Sequence, residues 1–284
     1  MSALQYAGNH RSLWGEGPVF YQGLLFYVDI EAHQVLTYDP ASGREQAIYV
    51  GERVGTVVPR ASGGMVIAGD SGFRFLGEDG SLTDIVDPES DIPDNRFNDG
   101  KCDPSGRFWA GTISTVRIAG SASLYRLDSD LTVTRQLDNV TNSNGLCWSG
   151  DRSTMFYIDT PRKEIWAFDY DDSTGKIDNR RTVVDTRPFA GSPDGMTIDV
   201  EDNLWVAFCK GSAVRCFAPE ASGKQLHSIS LPTTCPTAVA FGGPSCQDLF
   251  ITTGQHSTDS SPQAGRLYVT RPGIAGQKSF AFAG

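Results

Sequence analysis

The chain has 284 residues and a formal net charge of -10 at neutral pH. Nucleic acids and anionic membrane surfaces attract basic proteins, so this excess of acid argues against either partner and favours a small molecule or a cation. No stretch approaches the roughly 18 consecutive apolar residues of a membrane-spanning helix, and residues 1–14 lack the apolar core of a secretory signal, so we expect a cytoplasmic protein.

The cysteines and histidines exclude two further kinds of site. Six cysteines are spread along the chain without a Cys-x-x-Cys pair, whereas disulfide frameworks are typical of short secreted domains, so we expect free thiols. The four histidines lie far apart in the sequence, which disfavours a zinc site built on histidines.

Short apolar runs bounded by Gly, Asp, Ser and Pro predict β-strands along the whole chain. No long segment has the 3.6-residue apolar period of an amphipathic helix, so the pattern indicates an all-β protein. The runs are residues 24–30, 65–68, 108–112, 155–158, 204–208 and 249–252.

These predicted strands also repeat. Residues 25–29 (LFYVD) resemble 155–159 (MFYID), and residues 103–109 (DPSGRFW) resemble 199–205 (DVEDNLW). The repeats define six units of about 40–50 residues, the period of four-stranded propeller blades. We therefore predict one domain, residues 1–284, folded as a six-bladed β-propeller with antiparallel blades around a central channel. A parallel β-helix is the alternative, although its repeats are much shorter.

A carboxylate or amide followed by glycine stands just before the predicted first strand of four units. The residues are Glu16, Asp99, Asn144 and Asp194. The first strand of each blade lines the channel, so these oxygens would converge on one point and suit a hard divalent cation. Asp-Gly and Asn-Gly are also ordinary turn dipeptides, which leaves both explanations open for three of the four. Glutamate is a poor turn former, so for Glu16 the ligand explanation is favoured.

Four motifs containing these residues resemble the SMP-30/gluconolactonase/luciferin-regenerating family, and the resemblance extends over essentially the whole chain. They are GEGP at 15–18, RFNDGK at 96–101, SNGL at 143–146 and PDGM at 193–196. The resemblance implies a six-bladed propeller with one divalent ion, Ca²⁺ by preference, with Zn²⁺, Mn²⁺, Mg²⁺ and Fe²⁺ as alternatives. The residues that it implies are Glu16, Asn144 and Asp194 as metal ligands and Arg96 and Asn98 as substrate contacts.

The resemblance further implies a sugar lactonase that opens an aldonolactone to its aldonic acid. Asp194 would be both a metal ligand and the catalytic base, and Asp99 is the alternative base because a bound cation lowers the basicity of a carboxylate. Family members often carry a substrate-contacting glutamate after Ala-Gly-Thr, whereas here Thr112 is followed by Ile-Ser-Thr-Val, so the lactone stays open. The competing functions are hydrolysis of another lactone or ester and the role of a calcium-binding regulatory protein.

Overall fold

The computed structural model of the protein describes residues 2–284 and contains twenty-four β-strands within that range. The strands form six four-stranded antiparallel sheets arranged as the blades of a β-propeller, which confirms the all-β, six-bladed prediction. Two short 3-10 helices, Thr160–Arg162 and Pro219–Ala221, interrupt the strands. No helix in residues 2–284 is long and apolar enough to cross a bilayer.

The first strand of the chain is β1 (Gln5–Arg11), and the first three blades follow it in order. From the axis outwards, blade 1 contains β2 (Gly15–Tyr21), β3 (Leu24–Asp29), β4 (Gln34–Asp39) and β5 (Arg44–Tyr49). Blade 2 contains β6 (Val54–Pro59), β7 (Met65–Gly69), β8 (Gly72–Leu76) and β9 (Leu82–Val86). Blade 3 contains β10 (Asn95–Cys102), β11 (Phe108–Ser114), β12 (Ala122–Leu127) and β13 (Val133–Val140).

Blades 4 and 5 have the same order of strands, and blade 6 takes its outermost strand from the start of the chain. Blade 4 contains β14 (Ser143–Trp148), β15 (Thr154–Asp159), β16 (Glu164–Asp171) and β17 (Lys176–Asp185). Blade 5 contains β18 (Ser192–Ile198), β19 (Leu204–Cys209), β20 (Ala213–Ala218) and β21 (Lys224–Ser230). Blade 6 contains β22 (Pro236–Gly242), β23 (Asp248–Thr253), β24 (Arg266–Thr270) and β1.

Blade 6 closes the ring because it combines both ends of the chain. Strand β1 pairs antiparallel with β24, with Gln5 opposite Val269 and Tyr6 opposite Tyr268. Strand β1 is the outermost strand of blade 6, so its pairing with β24 joins the start of the chain to the last blade and closes the ring. The first strands of neighbouring blades contact one another around the axis, and these strands are therefore the ones that can carry a central site.

The sequence repeats correspond to repeated structural contacts. Asp103 accepts a hydrogen bond from the indole Nε1 of Trp109 at 2.9 Å, and Asp199 accepts the equivalent bond from Trp205, also at 2.9 Å. Both tryptophans are completely buried. The Asp and Trp six residues apart thus fix the turn before the second strand of blades 3 and 5, which explains why that spacing recurs.

The apolar core lies between the blades and not at the axis. Six clusters of buried side chains occur within residues 2–284, and each joins two adjacent blades. In one of them, Ile158 and Ile165 of blade 4 pack with Met196 and Leu204 of blade 5. Because burial of apolar surface stabilises each interface, the central strands are free to present polar side chains to the channel.

Candidate metal and substrate site

The four polar residues that precede glycine lie within the innermost strands, not before them as the sequence analysis expected. Glu16 is in β2, Asp99 in β10, Asn144 in β14 and Asp194 in β18. The pairing register shifts at each of these positions, and all four residues are buried. A shift of this kind marks a β-bulge, which redirects a side chain away from the regular alternation of the strand. The four dipeptides are therefore bulges and not turns.

The glycines after these residues allow the inner strands to approach closely. A Cβ atom added at Gly195 would lie 2.3 Å from the Cβ of Ala238 in blade 6. One added at Gly145 would lie 2.6 Å from the Cβ of Met196 in blade 5. Neighbouring backbones thus meet at the glycines, and any larger residue would push the blades apart. This close approach brings the preceding polar residues to a small ring at the axis.

Three carboxylates in this ring interact unfavourably. Burial raises the pKa of Glu16 well above its usual value, and the nearby Asp194 and Asp99 raise it further. Burial, followed by repulsion from Asp99, raises the pKa of Asp194 in the same way. For Asp99 burial is again the main cause of a raised pKa, although the ammonium group of Lys101 opposes it. Buried like charges of this kind require either protons or a cation.

Asn144 presents an unpaired oxygen in the same ring. Its Nδ2 donates a hydrogen bond to Thr160 Oγ1 at 2.9 Å, and Thr160 Oγ1 donates to the backbone carbonyl of Pro193 at 2.9 Å. The amide orientation is therefore fixed. Its Oδ1 is buried and has no hydrogen-bond partner among residues 2–284. Leaving a buried acceptor unpaired costs about 1–3 kcal/mol, which a bound cation would offset.

The donor set fits a hard divalent ion. Glu16 and Asp194 supply carboxylate oxygens and Asn144 supplies an amide oxygen, the ligand types that Ca²⁺ and Mg²⁺ prefer. Within residues 2–284, no three His, Cys, Asp or Glu side chains form a ready ligand cluster. An ion here would therefore use the amide as its third protein ligand and complete its coordination with water or substrate.

Arg96 and Asn98 are bound to each other beside the ring. Arg96 Nη1 donates to the carbonyl of Phe97 at 2.7 Å and to Asn98 Oδ1 at 3.1 Å. Asn98 Nδ2 donates to the carbonyl of Ser143 at 2.8 Å and to Asn142 Oδ1 at 3.2 Å. Asn98 thus ties blade 3 to blade 4 and holds the arginine. Nε and Nη2 of Arg96 make no hydrogen bond within the described residues.

Two cavities are lined by residues of this group, one by Asp194 and the other by Arg96. The larger, of about 430 Å³, has the size of a small-ligand pocket. We call it the mouth cavity, and its lining residues are Trp14, Ile113, Ser114, Arg117, Thr141, Asn142, Thr160, Pro161, Ser192, Asp194, Cys209, Lys210 and His256. The smaller, of about 200 Å³, lies between blades 2 and 3 and is lined by Arg96 together with Asp70, Asp87 and Glu89. Asp194 lies in the wall of the mouth cavity, whereas Asp99 does not.

Sequence reasoning gave no role to three residues that shape the site. Thr160 orients Asn144, and Asn142 contacts Asn98 and lines the mouth cavity. Lys101 donates from Nζ to the carbonyl of Met196 at 2.7 Å and opposes the charge of Asp99. Lys101 could have been found because it ends the RFNDGK motif. Thr160 and Asn142 carry no sequence signal, since only the fold brings them to the axis.

Comparison with known proteins agrees with the fold and the motifs. A regucalcin from Xenopus laevis is 41% identical over 284 residues, which cover 95% of each chain. The structure of a luciferin-regenerating enzyme superposes with a TM-score of 0.93 at 30% identity and covers 100% of both chains. The structure of a calcium-binding protein, regucalcin, from Agrobacterium tumefaciens gives 0.91 at 26% identity and covers 99% and 97%.

The family model described as the SMP-30/gluconolactonase/LRE-like region matches residues 14–255. That range includes all four motifs and the whole ring of polar residues at the axis. The chain therefore belongs to the SMP-30/gluconolactonase/LRE-like family.

Proposed function

We propose that the chain is a lactonase that requires one divalent metal ion and opens a sugar lactone, of the aldonolactone type, to its acid. Gluconolactonases are part of the family by its description. The observation that carries the proposal is the unpaired, buried Oδ1 of Asn144 in the same ring as two buried carboxylates with raised pKa values, Glu16 and Asp194. This arrangement lies beneath an open cavity of about 430 Å³ and not inside a closed shell.

In this proposal Glu16, Asn144 and Asp194 hold the ion. Ca²⁺ is the first candidate because all three ligands are oxygens, and Zn²⁺, Mn²⁺, Mg²⁺ or Fe²⁺ also accept such a set. When bound, the ion would supply Lewis acidity towards the lactone carbonyl. Thr160 contributes indirectly, because its hydroxyl fixes which side of the Asn144 amide faces the ring.

Asp194 is the proposed general base. Its carboxylate lies in the wall of the mouth cavity, where it can accept a proton from the water that attacks the lactone carbonyl and return it to the ring oxygen as the acyl–oxygen bond breaks. Burial and the nearby Asp99 raise the pKa of Asp194, which counteracts the loss of basicity caused by a bound cation. Asp99 is less suited because it does not line the mouth cavity and is compensated by Lys101.

Arg96 and Asn98 are proposed to bind the substrate as a unit. Asn98 uses its oxygen to hold Arg96 and its amide group to hold blade 4, so its contribution is mainly to position the arginine. The Nε and Nη2 donors of Arg96 stay available for hydroxyl or carbonyl oxygens of the lactone.

Calcium binding without catalysis is the second candidate, because one similar structure is named as a calcium-binding protein. A buffering site would surround its ion with protein oxygens. Here three protein ligands and an adjoining cavity leave positions open for water and substrate, which favours catalysis. A different lactone or ester would use the same residues.

The test is lactone hydrolysis, followed as acid release from glucono- and pentonolactones above the spontaneous rate. Metal-stripped protein, protein with added divalent ions and the Asp194→Ala variant are compared, with Asp178→Asn on the exposed side of β17 as the matched control. We expect metal-dependent turnover that is lost in Asp194→Ala and retained in Asp178→Asn. Folded, metal-binding protein without turnover of any lactone would contradict the proposal and favour the calcium-binding role.

The proposal also includes a cytoplasmic location and one folding unit spanning residues 1–284. Fractionation of cells that express the tagged chain tests the location. A single calorimetric unfolding transition tests the folding unit, since independent domains would unfold in separate steps.

A further inference from the structure

We propose that the natural substrate is a lactone that carries a second, anionic group, a carboxylate or a phosphate, and that Arg117 and Lys210 bind this group at the rim of the mouth cavity. The inference rests on the proposed lactonase function and specifies its substrate class. It would make the two residues determinants of specificity and not of the chemical step.

Arg117 and Lys210 come from different blades but line the same cavity. Arg117 lies in the loop after β11 of blade 3, and Lys210 lies in the turn between β19 and β20 of blade 5. Both also line this cavity together with Asp194, the proposed base, so a molecule held by all three spans the width of a single pocket of about 430 Å³. A sugar lactone with one charged substituent has the appropriate size for such a pocket.

Neither cation has a partner within residues 2–284. The side chains of Arg117 and Lys210 make no ion pair and no hydrogen bond there, and both residues are exposed. Other arginines near the same face are paired. Arg53 bonds Asp70 at 2.9 Å, and Arg162 lies 3.4 Å from Asp159. The two unpaired cations are thus available for an anionic ligand.

The mouth cavity contains little negative charge to oppose them. Asp194 is the one carboxylate among its lining residues, and in the proposed function its charge and that of Glu16 would be balanced by a divalent ion. The segment after Thr112 supplies Ile-Ser-Thr-Val and then Arg117, with no carboxylate among these residues. With the ion bound, the mouth cavity would therefore have two uncompensated positive charges, those of Arg117 and Lys210, in a chain whose net charge is -10.

The neighbouring small cavity has the opposite character. Asp70, Asp87 and Glu89 line it, together with Arg96. Carboxylates accept hydrogen bonds from sugar hydroxyls but repel an anionic group. An anionic group of the substrate would therefore be favoured beside Arg117 and Lys210 and disfavoured beside the carboxylates of blades 2 and 3.

The experiment compares kcat/KM for a neutral, a carboxylated and a phosphorylated lactone: glucono-1,5-lactone, a glucarolactone and 6-phosphogluconolactone. Metal-loaded wild-type protein is compared with Arg117→Gln, Lys210→Gln and the double variant. Lys224→Gln is the matched control, because it removes the same charge from an exposed position on β21, outside the cavity. Each assay is run at low and high salt, since exposed charges are screened.

We expect the wild type to prefer an anionic lactone, and the ratio of kcat/KM for anionic over neutral lactone to fall about tenfold in each single variant. Lys224→Gln should leave this ratio unchanged. The anionic lactone whose ratio falls more in the Arg117 and Lys210 variants shows whether the bound group is a carboxylate or a phosphate. Equal turnover of neutral and anionic lactones, or an equal loss on all three lactones, would overturn the inference alone. Absence of turnover on every lactone would overturn the proposed function and this inference with it.

Discussion

Two buried acids, Asp29 at the end of the second strand of blade 1 and Asp194 in the central ring, have opposite environments. Burial alone would raise the pKa of Asp29, but His10, whose Nε2 lies 3.6 Å away, and hydrogen bonds from the backbone amides of Trp14 and Leu13 lower it below its usual value. Burial and the charge of Asp99 raise the pKa of Asp194 instead. Hydrogen-bond donors of the protein stabilise the charged form of Asp29, whereas Asp194 has too few donors to offset its burial.

The same contrast separates the blades from the central ring. At the blades, repeated acids such as Asp103 and Asp199 have their oxygens occupied by tryptophan indoles and backbone amides. In the ring, Asn144 keeps a free oxygen and carboxylates repel one another. Polar groups that are fully satisfied stabilise the fold, while those left unsatisfied create a place for a ligand. Substitutions at the two kinds of site should therefore have opposite consequences.

The largest expected effect is on activity, at Asp194. Asp194→Asn should lower lactone turnover by roughly a thousandfold, because it removes both a metal ligand and the proposed base. It also removes a buried like charge, so the metal-free variant should be no less stable than the wild type. Steady-state kinetics and thermal unfolding of metal-free protein measure the two effects. A clear loss of stability without metal would show that the Asp194 carboxylate is structural.

The reverse result is expected at Asp103. Its carboxylate accepts hydrogen bonds from Arg107, Trp109 and Tyr170 and forms a buried ion pair with the arginine. Asp103→Ala should lower the free energy of unfolding by about 3–5 kcal/mol, since it removes the closer carboxylate partner of Arg107 and leaves the Trp109 indole and two backbone amides without their acceptor. Denaturant unfolding measures this loss, and activity per folded molecule should persist. Strong loss of activity in fully folded protein would contradict the view that the blade acids stabilise the fold and that the ring residues bind the ligand.

A smaller effect is expected from Gly195→Ala, which tests the close approach of the inner strands. The new Cβ would lie 2.3 Å from the Cβ of Ala238, so blades 5 and 6 would have to separate. We expect a loss of about 1–3 kcal/mol of stability and weaker metal binding. Gly150→Ala is the control, because its nearest neighbour is the end of the Gln277 side chain at 3.3 Å. Equal stability of the two variants would argue against glycine as a packing requirement.

The smallest effect is a pH dependence of the metal-free protein. In the folded state the pKa values of Glu16 and Asp194 lie above their usual values of 4.5 and 3.8. The folded protein then binds more protons than the unfolded chain, so these groups lower the stability as pH rises from about 4 through the raised pKa values. A divalent ion should cancel this loss. Thermal unfolding with and without Ca²⁺ should show a difference that grows with pH, and a difference independent of pH would contradict the account.

The fold could be predicted from the sequence because the sequence repeats correspond to contacts that recur at equivalent positions of different blades. Spacings such as Asp103 to Trp109 recur because the same hydrogen bond recurs in another blade. Closure by β1 was not predicted, since residues 5–11 are too polar to stand out as a strand. The polar residues before glycine were expected outside the strands, because a bulge and a turn use the same dipeptides.

The site was only partly visible in the sequence. Local motifs mark Glu16, Asn144 and Asp194, but the residues that orient them come from distant parts of the chain. Thr160 reaches Asn144 only because β14 and β15 pair. Arg117 and Lys210 are more than 90 residues apart, and nothing in the sequence indicates that they share a cavity.

The most direct test of the central claim is calorimetric titration of metal-stripped protein with Ca²⁺, for the wild type and Asn144→Leu. Leucine has the shape of asparagine but lacks the unpaired oxygen. We expect one ion per chain in the wild type and at least about tenfold weaker binding in Asn144→Leu, with the propeller still folded. Binding that is unchanged in Asn144→Leu, or absent for every divalent ion in the wild type, would show that the ring at the axis is not a metal site.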